Sequence, residues 1–299
     1  MPPALGLGLL AAFVWGFVDL SAAIAGRRIG SLRAVVWTQV AGLTGLGLFI
    51  LVQPQLLGPT AAQGIISALP LGLLSSVAYV MYFTALRMGP LSVVSPIIVA
   101  YGGLTVIMAI VLRGETMQPL QAAGAVCATL GVILTGVVFH GGQLRGARLV
   151  GPGVIAAVIT ALVFSSVSIM LANPIHEHGW LSVITGSRLA NTAATITLLL
   201  IANRANAPQF RPLLLPAAAL TRWTLAVVIT AGILDIGGFL IYGIGIDIGP
   251  VWLVGLASSF GPVLVIAYGV GRLGERLAPT QWVGLALLAV GIGVLAVAG

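Results

Sequence analysis

Ten apolar runs of about 20 residues, the length needed to cross hydrocarbon, follow one another along the chain. They lie near 4–24, 33–52, 65–86, 91–112, 120–139, 150–171, 180–202, 223–246, 251–271 and 280–298, parted by brief polar turns. In a bilayer every backbone amide must be satisfied inside its own segment, so each run reads as an α-helix. The pattern predicts an all-α polytopic membrane protein with ten transmembrane helices. Gly and Pro inside the runs ("GLTGLG", "DIGG", "SFGP") are tolerable there, because neighbouring helices satisfy loosened backbone groups. The 40 glycines fit close helix packing through small residues. "MPPALGLGLL" has no basic stretch ahead of its apolar residues, so the first run reads as a retained span.

The polar breaks carry a repeat. "GETMQPLQAAG" at 114–124 returns as "GERLAPTQWVG" at 274–284, with Gly, Glu, Pro, Gln and Gly at the same offsets. A shift of 160 residues aligns 72–136 with 232–296 without a gap, placing Tyr82 on Tyr242, Gly89-Pro90 on Gly249-Pro250 and Gly131 on Gly291. "LGLGLLAA" (5–12) echoes "VGPGVIAA" (150–157) at a shift of 145, and the extra 15 residues fit the loop "NRANAPQFRPLLLPAAALTRW". Chance matches of Leu and Val are cheap; Gly-Pro, Gly-Glu, Pro and Gln in one register are not. The expected halves are residues 1–145 and 146–299. Five spans per half is odd, so the second half enters the membrane inverted, an arrangement that recurs in secondary transporters.

Charge then sets orientation. The loops after odd-numbered spans hold Arg27, Arg28, Arg33, Arg87, Arg145, Arg148, Arg204, Arg211, Arg222, Arg272 and Arg276, whereas the even-numbered loops hold only Arg113. Basic loops stay on the cytoplasmic side, which places both termini outside. Composition agrees with the spans: 59% of residues are hydrophobic and 6% charged, against about 25% charged in a soluble domain. The net charge of +7 is therefore loop charge and no sign of a nucleic-acid partner. The single Cys127 excludes an intrachain disulfide.

With ten spans, two five-helix halves and a "GE…P…Q…G" turn between the fourth and fifth helix of each, the chain resembles the drug/metabolite transporter superfamily, and within it the bacterial EamA-type proteins. The resemblance covers essentially the whole chain. Its length and the segment "WGFVDLSAA" are similar to exporters of the aromatic amino-acid type. The resemblance implies alternating-access movement of small organic solutes, commonly the export of amino acids or drugs, across a bacterial inner membrane.

Ionisable groups inside spans are costly and so are candidate functional groups. Asp235 sits at the centre of the eighth span. Asp19 and Arg188 stand about 7 Å and about 4 Å from their span centres at the helical rise. An Arg with one or two Asp can partner both ends of an α-amino acid; the same residues could equally form a structural ion pair, Arg188 with Asp235 or with Asp19. Ser75, Tyr79 and Tyr82 share one helix face, and the 160-residue shift maps them onto Asp235, Phe239 and Tyr242. These faces line a central cavity or form an aromatic belt at the membrane boundary. Trp15, one turn before Asp19, stacks a solute ring or packs the core. Ser165, Ser166, Ser168, Asn191 and Thr192 are cavity groups or interhelical links. Pro96 and Pro262, with the Gly-Pro turns at Pro90 and Pro250, are candidate hinges. Glu115 is expected to cap the helix that follows it, with Pro119 in that helix's first turn.

"HEH" at 176–178 lacks a third ligand and reads as a solvated loop, so no metal site and no cofactor is expected. Enzyme motifs are missing: there is no His-Glu-x-x-His, no G-x-S-x-G and no Lys for a P-loop. The sequence reading is a secondary transporter exporting amino acids or related small amphipathic metabolites. The alternatives are a multidrug or cationic-compound exporter and an intramembrane enzyme. Its partners are a small-molecule substrate and the lipid bilayer. A monomer is compatible with the sequence, which does not set the oligomeric state.

Overall fold

The computed structural model describes residues 2–89, 94, 97–136, 151–205, 211–214, 221–261 and 278–298. Within them each predicted span is met by a helix: α1 (Pro2–Ile29), α2 (Ser31–Val52), α3 (Ala61–Met88), α4 (Tyr101–Arg113), α5 (Pro119–Gly136), α6 (Pro152–His178), α7 (Trp180–Ala205), α8 (Arg222–Ile248), α9 (Val251–Ser258) and α10 (Pro279–Val297). Seven of these are long and apolar enough to cross a membrane as described, while the described parts of α4, α5 and α9 are shorter.

Several helices overrun their apolar runs, because backbone hydrogen bonding continues where only the side chains turn polar. The stretch "HEH" at 176–178, expected as a solvated loop, is therefore the last turn of α6, and "GRRIGSLR" contains a single non-helical residue, Gly30. Gly30 (φ 85°) links α1 to α2, and Gly179 (φ 83°) links α6 to α7 at the corresponding place in the other half. Positive φ is cheap only without a Cβ, so one glycine suffices to separate the two helices.

Packing obeys the repeat. Helix α1 runs along α8 as α6 runs along α3; α2 meets α8 as α7 meets α3; α4 lies on α9, and α5 on α10. Exchanging the halves maps this pattern onto itself. The α5–α10 crossing shows it in detail. A Cβ on Gly131 would stand 2.5 Å from the Leu288 amide nitrogen, and one on Gly291 2.5 Å from that of Ala128. Since 128 and 288 are 160 residues apart, as are 131 and 291, the crossing is its own image. Backbone atoms cannot yield, so Gly131→Val should overpack the crossing and cost about 1–3 kcal/mol. Thermal unfolding of the detergent-purified protein measures this. Gly293→Val, at a position with nothing within 4 Å, is the control, and an equal shift at both positions would refute a tight crossing.

Candidate functional site

Helical periodicity aims the two repeat-related faces at each other. The cavity between the halves is lined by Trp15 and Asp19 from α1, Ser75, Tyr79 and Tyr82 from α3, and Asp235, Phe239 and Tyr242 from α8. Tyr101, Phe164, Ser168, Ser258 and Ser259 complete its polar and aromatic lining. Its free volume is about 100 Å³; one water needs about 10–15 Å³ by that measure, so the space suits a small organic solute. Tyr79 and Tyr82 are buried in this wall and do not form a boundary belt.

Arg188 is not among the lining residues. It reaches from α7 behind the wall, only 4% exposed, where acceptors, a carboxylate and ring faces surround its charge. One terminal nitrogen lies 3.1 Å from Asp235 Oδ2 and donates to Gln39 Oε1 at 2.9 Å. The other donates to the Tyr79 hydroxyl at 2.8 Å. The Tyr79 hydroxyl in turn donates to Asp235 Oδ1 at 2.9 Å. The Phe239 ring lies under the guanidinium, 3.8 Å from its carbon, where the ring face attracts a cation. Of the two acids left open as partners, the structure pairs Arg188 with Asp235.

Asp19 is held differently. Its Oδ1 accepts the Tyr82 hydroxyl, and no ion pair to it occurs among the described residues. Among the described residues the cavity thus holds one carboxylate neutralised by Arg188 and one carboxyl met by a hydroxyl. Trp15 is fixed against both rings of α8, with centroids 4.9 Å from Phe239 and 5.6 Å from Tyr242. Its indole nitrogen donates to the Asp235 carbonyl at 3.3 Å. Phe164 stands edge-on to Tyr79 at 5.5 Å. Edge-to-face packing of this kind favours a rigid aromatic wall.

Residues missed by sequence reasoning are Gln39, Tyr101 and Phe164. Tyr101 falls on Gly261 in the repeat and so carried no paired signal, and Phe164 had only its neighbours Ser165 and Ser166. Gln39 is a buried amide amid "VVWTQVAG", a polar residue inside an apolar run that could have marked it. Among the serines, Ser165 donates to the Tyr101 carbonyl at 2.9 Å and ties α6 to α4, whereas Ser168 lines the cavity. Asn191 and Thr192 are buried outside the cavity lining. Pro250 is the N-cap of α9; Pro90, Pro96 and Pro262 lie outside the described residues. His176 joins α6 to α8 through the Ile246 carbonyl at 2.8 Å, and no metal-binding cluster occurs among the described residues.

The duplicated turn resolves residue by residue. Gly114 is the left-handed C-cap of α4, at φ 64°. Gln121 Oε1 accepts the Gln118 amide at 3.0 Å, and Gln281 Oε1 accepts the Ala278 amide at 3.0 Å, so the repeated Gln closes each following helix start. Glu115 does not take the expected capping role on α5. Its Oε2 faces the Trp252 amide in the first turn of α9 at 3.4 Å. The helix-start amide it meets belongs to the other half, because Gln121 already serves α5.

Two interchangeable halves closing on a buried polar and aromatic cavity define a multi-pass membrane protein built to hold a small solute. The EamA-like transporter family matches residues 2–137 and 151–297, and the chain belongs to that family. It is a membrane transporter of small molecules. A solved structure described only as the crystal structure of a protein is similar in fold, with a TM-score of 0.75 and 22% identity; the match covers 97% of this chain and 95% of that one. No match was found among curated proteins.

Proposed function

We propose that the chain is an alternating-access secondary transporter that exports amino acids or related small amphipathic metabolites across a bacterial inner membrane. The observation that carries this reading is Asp19: a carboxyl on the cavity wall, without a cation among the described residues, in a lining it shares with the rings of Trp15, Phe239 and Tyr242. A solute ammonium group supplies the missing charge, and its apolar part stacks on the rings. Asp235 and Arg188 hold Tyr79 and Phe239 in place. Residues 1–145 and 146–299 are the two moving halves, Pro250 with Pro90, Pro96 and Pro262 are the flex points, and both termini face outside. A second reading, export of lipophilic cations, is favoured by the placement of Arg188, whose guanidinium is fully engaged behind the wall.

Reconstituted vesicles separate the two. Labelled phenylalanine and labelled tetraphenylphosphonium are loaded in parallel, with and without a pH gradient. Saturable phenylalanine flux is the expected result. Flux of the cation alone moves the assignment to the second reading, and flux of neither refutes both.

A further inference from the structure

Arg113 breaks the charge pattern: it is the one Arg in the even-numbered loops, and the position 160 residues on is Leu273. It is therefore no part of the design common to both turns, and the structure shows what holds it there. Its Nε donates to Glu115 Oε1 at 3.0 Å, and a terminal nitrogen donates to Asn173 Oδ1 on α6 at 2.6 Å. Glu115 reaches in turn to the Trp252 amide on α9. One turn of the first half thus grips two helices of the second.

Beneath this grip α4 and α9 are tightly packed. A Cβ on Gly255 would stand 2.6 Å from Thr105 Cγ2, and the Tyr101 hydroxyl meets Ser258 Oγ at 2.8 Å at the cavity wall. From Tyr101 to Arg113, α4 rises about 18 Å, and its contacts with α9 run from the cavity wall at Tyr101 and Ser258 to the turn where Glu115 meets Trp252. The Arg113 and Glu115 side chains remain 19% and 17% exposed. Water can therefore replace their contacts, unlike those of Arg188. A cleft beside them, lined by Met117, Gln118, Gln121 and Trp252, leaves Glu115 room to turn away.

We propose that Arg113, Glu115 and Asn173 are the latch of a gate. The α4–α9 seam is closed toward the face bearing this turn, and it opens when the halves part and the latch breaks. The proposal rests on the alternating-access reading. Its substrate-free test uses a Cys127→Ala background with a reporter thiol, Ser168→Cys, in the cavity. Adding Arg113→Leu, the residue of the second repeat, removes the latch. Labelling of the thiol by a membrane-impermeant reagent applied to the Arg113 face should then rise by about tenfold, as the closed state loses its differential contacts. An unchanged rate overturns the latch, whatever solute the protein carries.

A second arm uses Arg113→Cys with Asn173→Cys in the same Cys127→Ala background, bridged by a short, reductant-cleavable bis-thiosulfonate. Bridging should stop phenylalanine or tetraphenylphosphonium flux while leaving binding of that probe intact, and reductant should restore flux. Flux that survives bridging identifies a static brace and refutes the gate. If neither probe is transported by the unmodified protein, the substrate reading fails and the labelling arm still decides the latch.

Discussion

Arg188→Ala is expected to lower stability by about 3–5 kcal/mol, the usual cost of leaving a buried charge without its partner. The substitution strands Asp235, which is 5% exposed, and removes the donors that engage Gln39 and the Tyr79 hydroxyl. Thermal unfolding and the fraction recovered as monodisperse protein in detergent report the loss. The double variant Arg188→Met with Asp235→Leu should recover much of it, since an apolar pair leaves no buried charge. A small loss for the single variant would mean that water in the cavity Asp235 lines can stand in for the guanidinium. Recovered stability without recovered transport would assign the pair to the positioning of Tyr79 and Phe239.

Asp19→Asn is expected to act in the opposite way, with little effect on folding and a large effect on solute. The amide oxygen of Asn can still accept the Tyr82 hydroxyl, so stability should change by less than about 1 kcal/mol. Losing the charge that Asp19 offers to an ammonium group should weaken binding by about a hundredfold, in the range for hydrogen bonds to charged groups. Trp15 lines the same cavity, so quenching of its fluorescence by phenylalanine or tetraphenylphosphonium gives a titration in both proteins. Equal affinities before and after the substitution would remove Asp19 from the site and leave the aromatic wall as the whole of recognition.

These two outcomes differ because two acids that look alike in the sequence were placed in unlike surroundings. Asp19 and Asp235 each stand alone in an apolar run, and Arg188 could have met either. The choice fell to Asp235 because α7 packs on α2, α3 and α8, and α8 packs on α2, which brings Gln39, Tyr79 and Asp235 around one guanidinium. Glu115 gives the same lesson at the surface. Its spacing before Pro119 suited a cap on the next helix, yet Gln121 fills that role and the Glu turns to an amide 137 residues away.

Much was nevertheless written in the linear order of residues. Hydrocarbon forces each span to satisfy its own backbone, so the length of an apolar run is enough to mark a helix. The 3.6-residue period and the 160-residue register then put Ser75, Tyr79 and Tyr82 on a face matching that of Asp235, Phe239 and Tyr242, and both faces line the cavity. Spans, repeat and facing surfaces are local or periodic properties, which sequence alone determines. Which acid Arg188 neutralises, which helix Glu115 reaches and why Arg113 defies the charge pattern depend on contacts between helices distant along the chain. Those were decided only when close packing brought the two halves together.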